Sequence, residues 1–367
     1  MKLFLFEMKK IHHTRAFTIF IFLTVLFISG LYIKNYIQQD IIIANKVQQF
    51  SEHRSDVFGD IQLYRKQKEE GLLESETEKK LAVASKLHGE INELIQAIQD
   101  KKWETELLTE IKVYQSAIVY QEMKGTFEKS KKDMLDTISL NEELLKKGLP
   151  KEDMDLSIQP PIFMKKIVSL LLNPFGFLIL LLILGTSITR EFEEKNIQMV
   201  YVLPVSRPYY IMNKFISLVV IGIFWLFIVF FISYLLPYLF TETTENSFSY
   251  PLMSMEGNFI TSSHYLKEAM IYSLFYMIFS ISILIFFGFL IRNTIVTYLL
   301  IIFLHIGNFI ILTNGFMYQV NPFTYGMVDL GVINDDTQSF FGTSLLFGAS
   351  IVLMIMSIYM NKRRGIR

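Results

Sequence analysis

Six apolar runs decide most of what this chain can become. They lie near Ala16–Ile33, Ile167–Ile188, Phe215–Phe240, Leu266–Ile291, Ile295–Thr313 and Phe340–Met360. A helix needs about 20 apolar residues to cross the hydrocarbon layer, and each run reaches or approaches that length. Backbone amides find no partner in hydrocarbon, so each run must close its own hydrogen bonds as a helix. A long polar block, Lys34 to Lys166, falls between the first run and the second. The expected fold class is all-α: a polytopic membrane protein with six transmembrane helices and one helical or coiled-coil domain between spans 1 and 2.

Composition agrees. Hydrophobic residues make up 51% of the 367, with 33 Phe and 18 Tyr, and only 19% are charged, against about 25% in a soluble domain. The net charge of zero averages nearly uncharged spans with a Lys- and Glu-dense block, and it offers no basic excess for nucleic acid. The chain has no cysteine, which excludes disulfides and thiolate metal sites. The first run begins with Lys2, Lys9, Lys10 and Arg15, as a signal peptide does. Its apolar stretch is too long and no small-x-small cleavage site follows, so a retained signal anchor is expected.

Basic residues in short loops set orientation. Lys2, Lys9, Lys10 and Arg15 precede span 1. Arg190, Lys195, Arg207 and Lys214 lie between spans 2 and 3, Arg292 between spans 4 and 5, and Lys362, Arg363, Arg364 and Arg367 in the tail. All four segments share one side if six spans alternate. The opposite links, Thr241–His264 and Asn314–Ser339, contain no Lys or Arg. Both termini are therefore expected in the cytoplasm and the polar block outside, since long domains cross regardless of charge. The expected organisation is a cytoplasmic amphipathic helix over 1–14, transmembrane helix 1 over 15–34, and an extracellular helical domain over 35–165. Transmembrane helices 2–6 then occupy 166–361 with a cytoplasmic link at 189–214, and 362–367 form a basic tail.

Inside the polar block, Ile37, Ile41, Ala44 and Val47 keep to one helix face, so span 1 is expected to run on into a stalk, with Gly59 and Gly71 as breaks. Ser75-x-x-Glu78 reads as a capping box opening a helix with Leu81, Leu87, Ile91, Leu94, Ile95 and Ile98 on its apolar face. Leu107, Ile111, Tyr114 and Ile118 follow the 4-3-4 spacing of a short coiled coil or helical hairpin. A last helix is expected over Phe127–Leu145, ended by Gly148-Leu149-Pro150. A solvated spacer and a surface that touches substrate or partner both fit these residues.

Catalytic motifs are missing. There is no GxxxxGK[ST] loop to cradle phosphates; Gly125 is followed by TFEKSKK, without the second glycine. The six histidines form no metal-ligand pattern, and neither HExxH nor GxSxG occurs. The chain reads as no enzyme and calls for no cofactor or metal. His305 is the one histidine inside a run, with Asn308 on its face. Such groups mark pathways in membranes, although a neutral imidazole bonded to a neighbouring helix explains it as well. Pro174, in Asn173-Pro174-Phe175, should kink or break span 2, and Asn321-Pro322-Phe323 follows span 5.

The link after span 2 is the most specific stretch. Arg190-Glu191-Phe192-Glu193-Glu194-Lys195 precedes Leu203-Pro204-Val205-Ser206-Arg207, and Lys214 stands at the mouth of span 3. The expectation is a short surface helix ended before Pro204, presenting acids, with Arg207 and Lys214 at headgroup level. This arrangement resembles the permeases of ABC type-2 transporters. These have six spans, both ends inside, an R-E-x-E-like stretch after the second span and a Leu-x-x-Pro-[Val/Ile]-Ser-Arg element. Met1–Thr14, with Leu3, Phe4, Phe6, Lys9 and Lys10, is similar to their amphipathic N-terminal helix. The resemblance covers about two-thirds of the chain, the large insert after span 1 being a departure.

What the resemblance implies is a permease subunit of an ATP-driven exporter in the bacterial plasma membrane, moving a peptide or amphipathic compound. Its partners would be a separate ATPase subunit, a second permease subunit (identical or sister) and the bilayer. Arg190, Glu191, Glu193, Glu194, Lys195 and Arg207 would form the ATPase-coupling site, and His305 and Asn308 would lie on a pathway. The alternative is a non-transporting envelope receptor or scaffold, similar to the phage-infection-protein branch with its large external domain.

Overall fold

The computed structural model describes residues 2–13, 15–70, 75–194, 206–242, 246–254, 257–314, 320–333 and 336–363. Its α-helices are α1 (Lys2–His13), α2 (Ala16–Ile37), α3 (Gln39–Glu69), α4 (Ser75–Gln99), α5 (Trp103–Glu122), α6 (Lys131–Lys147) and α7 (Pro160–Leu171). They continue with α8 (Pro174–Glu193), α9 (Arg207–Phe240), α10 (Ser262–Ile291), α11 (Thr294–Thr313), α12 (Val328–Ile333) and α13 (Asp336–Arg363). Six of them, α2, α8, α9, α10, α11 and the Phe341–Lys362 part of α13, are long and apolar enough to cross a membrane. The all-α expectation with six spans holds.

The spans are not equivalent. In α8 and α10 61% of the apolar window is buried within the chain, against 22% in α2 and 28% in α11 and α13. The first two therefore form the inside of the bundle and the others its rim. Lipid tails are as apolar as leucine, so the spans associate through close packing and polar contacts rather than through the hydrophobic effect. Gly222 illustrates this: a Cβ there would come within 2.3 Å of the Met277 Sδ of α10. Trp225 of α9 stacks on Phe20 of α2 and donates its indole N–H to Thr24 Oγ1 at 3.3 Å.

The second apolar run is divided between two helices, α7 and the spanning α8. The break falls at Asn173-Pro174, as proline chemistry predicts, and one side chain repairs both broken ends. Asn173 Oδ1 accepts from the Phe175 and Gly176 amides at 3.0 and 3.1 Å. Its Nδ2 donates to the Ser169 and Leu170 carbonyls at 3.1 and 2.9 Å. Gly176 is required by the close approach, because a Cβ would sit 1.8 Å from the Leu171 carbonyl oxygen. The second Asn-Pro pair starts a 3-10 turn, Pro322–Gly326, capped by Asn321 Oδ1.

The polar block folds as α3–α6, a meander of long helices with a core of its own. That core holds Phe50, Val57, Ile61, Leu87, Ile91, Leu94, Val113, Tyr114, Tyr120 and Met134. Burial in water drives this part, at roughly 1.5–3 kcal/mol for each fully buried large apolar side chain. Three expectations need correction. Gly59 does not break the stalk: α3 continues to Glu69, because burial of Val57 and Ile61 outweighs the ~1 kcal/mol that an interior glycine costs. The buried face of α3 is Phe50, His53, Val57 and Ile61, while Ile37 and Ile41 are exposed, because the chain resets its phase at Gln38 between α2 and α3. The last helix begins at Lys131 rather than Phe127, after Ser130 caps the Asp133 amide at 3.1 Å. It ends on Gly148 at φ 65°, as the sequence indicates. Gly71 lies outside the described residues, as does the Ser75 side chain that would cap α4.

One element was not anticipated. The link after α9 holds a small antiparallel hairpin, β1 (Pro251–Met253) and β2 (Phe259–Thr261). The turn just before β1 supports the base of the α3–α6 bundle: Lys147 Nζ donates to the Ser249 carbonyl at 3.1 Å, and the Glu152 amide to Tyr250 Oη at 3.2 Å.

Candidate functional site

The strongest concentration of buried charge lies where α1 meets the end of α8 and the start of α9. Lys214 is 1% exposed. Its ammonium stands 3.0 Å from Glu7 Oε2 and 2.9 Å from Glu191 Oε1, and donates to the Ser187 carbonyl at 3.1 Å. Glu191 also receives Lys10 Nζ and the Tyr210 hydroxyl. Two carboxylates thus face two ammonium groups, and the cluster is neutral. That balance is what makes it tolerable: an isolated buried charge is far more costly than a paired one.

Local sequence accounts for each position. Tyr210, Lys214 and Ser217 lie four and three apart and share the inner face of α9, where all three are buried. Ser187 and Glu191 make the same pairing on α8. In α1, Glu7 and Ile11 are buried while Leu5 and Phe6 are 57% and 60% exposed. The helix therefore docks on the bundle through Glu7 and Ile11, with Leu3 and Met8 against the core, and turns Leu5 and Phe6 outward. The long-range pairings make the site: Glu7 and Lys214 are 207 residues apart.

The anticipated coupling residues divide into two groups. Glu191 is turned inward, 5% exposed, with its carboxylate committed to α1 and α9. Glu193 and Glu194 are exposed. Glu193 Oε1 accepts from the Thr294 amide at 3.0 Å, placing a negative charge at the start of α11, where the helix dipole favours it. Arg190 pairs with Glu194 across one turn at 2.5 Å, an exposed pair worth at most about 1 kcal/mol. Arg207 Nη1 donates to the Asn361 carbonyl at 3.1 Å, tying the link to the last span. Lys195 and the Leu203-Pro204-Val205 element lie outside the described residues, as does the short surface helix expected there. Lys214 is a correction: it is buried among carboxylates rather than at headgroup level.

His305 and Asn308 do come together, both buried, at the Pro322–Gly326 turn. His305 Nδ1 donates to the Ile301 carbonyl at 3.0 Å, and its ring lies 6.1 Å from that of Phe323. Asn308 Nδ2 donates to the Phe323 carbonyl at 2.6 Å. Among the described residues no group of His, Cys, Asp or Glu could hold a metal ion.

Sequence reasoning missed Glu7 and Lys10 as partners of Glu191. A signal was present: Glu7 is the only acid before Asp40, and a lone acid in an apolar and basic helix needs a partner.

A family model described as "ABC-2 family transporter protein" matches residues 1–360. No curated protein and no solved structure matches the chain.

Proposed function

The chain belongs to the ABC-2 family of transporter proteins, and on that premise we propose that it is the membrane-spanning permease of an ATP-driven exporter whose ATP is hydrolysed by a separate subunit. The observation that carries this reading is the buried Glu7–Lys214–Glu191 cluster, with the partly exposed Lys10 at its edge, directly behind the exposed acids of the link. The ATPase subunit docks on the cytoplasmic face at the link, against Glu193, Glu194 and the residues that follow. Glu191 has a different part: it ties the end of α8 to α1 and α9, so that a push on the link moves three elements together. Arg207 extends that tie to α13. Two permeases, identical or sister chains, enclose the route in the bacterial plasma membrane, with both termini in the cytoplasm and the α3–α6 bundle outside. The cargo is a peptide or amphipathic compound. His305 and Asn308 belong to the interior that the cargo approaches.

The test is a charge reversal, Glu193→Lys with Glu194→Lys. Membranes carrying the variant are solubilised in mild detergent, and co-purifying proteins are sequenced for a GxxxxGK[ST] ATPase. The variant should lose that ATPase and ATP-driven export. Because Glu193→Lys also gives up the bond to the Thr294 amide, Glu194→Lys alone is the control, and it should weaken association while keeping the thermal stability of the parent. Intact association and export would remove the docking assignment. If the parent itself brings down no ATPase, the chain acts instead as an envelope receptor or scaffold, a reading favoured by the separate core of α3–α6.

A further inference from the structure

The inner face of α10 carries more polar atoms than the described residues satisfy. Tyr265, Tyr272, Tyr276 and Ser280 all belong to it, each no more than 1% exposed. Over those residues the helix rises about 22 Å, most of the way across a hydrocarbon layer. Only the first hydroxyl is partnered: Tyr265 Oη donates to Asp329 Oδ1 at 2.6 Å. Asp329 in turn lies 3.3 Å from Lys165 Nζ, and this ion pair is partly exposed, each side chain at 19%. Further in, Tyr272 Oη, Tyr276 Oη and Ser280 Oγ have no hydrogen-bond partner among the described residues. Tyr276 and Ser280 are near enough to influence one another, yet neither forms a bond of acceptable geometry.

The same holds on the facing helix. His305 Nε2 and Asn308 Oδ1 of α11 are also buried without a partner among the described residues. The two sets converge on the turn Pro322–Gly326. Tyr272 meets Tyr325 with ring centroids 5.7 Å apart, and Gly326 lies against the Tyr276 hydroxyl, which a Cβ there would approach to 2.7 Å. Gly342 makes room for the Tyr272 hydroxyl in the same way, with 2.4 Å to a Cβ. Phenylalanine would fill these places without a polar atom to satisfy. Hydroxyls and an imidazole nitrogen left bare in a low-dielectric interior are costly, and the cost is removed when water supplies the missing bonds.

We propose that these five groups bind water, forming a hydrated seam inside a single chain. It runs from the Lys165–Asp329 pair down α10 to Ser280, between α10, α11 and the 322–326 turn. The seam is separate from the coupling cluster and does not depend on the exporter reading.

The natural absence of cysteine makes the test direct. Ser280→Cys and Ser282→Cys are introduced singly and the chain is reconstituted in lipid vesicles without ATP or any ATPase. Both serines are buried on the same helix at nearly the same depth, but Ser282 Oγ is already bonded to the Ile278 carbonyl at 2.9 Å. A small charged methanethiosulfonate reacts with a hydrated thiolate, so Ser280→Cys should be modified about tenfold faster or more than Ser282→Cys. Equal rates, or an inert Ser280→Cys in a protein of parental thermal stability, would overturn the seam. If the Ser280 variant does not fold, the unaltered chain decides. Hydroxyl radicals generated by radiolysis of bound water should mark Tyr272 and Tyr276 and leave Trp225, equally buried and intrinsically more reactive, unmarked. The reverse pattern rejects the proposal. Loss of ATPase docking in the Glu193 and Glu194 variant leaves both measurements unchanged, so the two readings fail separately.

Discussion

Lys214 is the residue whose removal should be felt most. Lys214→Met keeps the volume and leaves Glu7 without its ammonium partner and Glu191 with Lys10 as its remaining one. Breaking a buried pair of this kind costs about 3–5 kcal/mol. The expected outcome is a marked loss of thermal stability in detergent, with α1 released, read as new protease cleavage between residues 1 and 15. A variant as stable as the parent, with α1 still protected, would mean the cluster holds nothing. Gly342 supplies a second case: Gly342→Ala forces a methyl group against the Tyr272 hydroxyl, and overpacking of this kind costs roughly 1–3 kcal/mol. The accompanying Tyr272→Phe should recover part of the loss, which a double-mutant cycle measures.

Two acids at the foot of the α3–α6 bundle have opposite pH dependence. Burial alone would raise the Glu110 carboxyl, but the Lys151 ammonium, at 2.7 and 2.9 Å, and the Asn141 amide hold it below the ordinary range. Its stabilisation is therefore complete above the unfolded value of about 4.5 and is lost as pH falls through the folded value. Burial of Glu152 pushes its carboxyl up, more than the Ser157 hydroxyl bond lowers it. In this case the folded state favours the proton, so ionisation at neutral pH weakens the fold. Glu152→Gln should raise the melting temperature of the bundle at pH 8, and the gain should vanish as pH falls below about 4.5. A gain that persists in acid would assign the effect to something other than ionisation.

Among the elements, the broken second span is the most exposed to a single change. Asn173 makes four bonds, two to each helix end, at the height where Pro174 meets the Pro322–Gly326 turn. Asn173→Ala leaves those amides and carbonyls without their side-chain partner. Loss of a helix cap costs about 0.5–2 kcal/mol. Amide hydrogen exchange reads it directly: protection at Phe175 and Gly176 should fall while α9 and α10 keep theirs. Unchanged protection would show that the break is held by its neighbours.

For the whole molecule, two cores of different physics share one chain. The α3–α6 core is held by the hydrophobic effect in water; the span bundle is held by close packing and polar contacts inside hydrocarbon. Urea weakens the first and does not reach the second. Titration of the chain in micelles should therefore give exchange of amides in α4 and α5 well before those in α8 and α10. A single coincident transition would show that the contacts of Leu107, Leu144 and Leu149 with the membrane core bind the two parts into one cooperative unit.

Much of the architecture was legible because it follows from local rules. Six apolar runs dictate six helices, Pro174 dictates a break, Gly148 dictates a stop, and the link motif with the six-span frame points to the family. None of these depends on which helix lies beside which. What tertiary structure alone decided is pairing across distance. Glu7 and Lys214 have nothing in their neighbourhoods that names the other, and Glu191 looks from sequence like one more surface acid of the link. The phase of α3 likewise follows from its packing on α4 rather than from its own pattern. Helix formation is local, so residue spacing records it; burial of a charge is a property of the assembled bundle, and no stretch of sequence carries the partner that makes it tolerable.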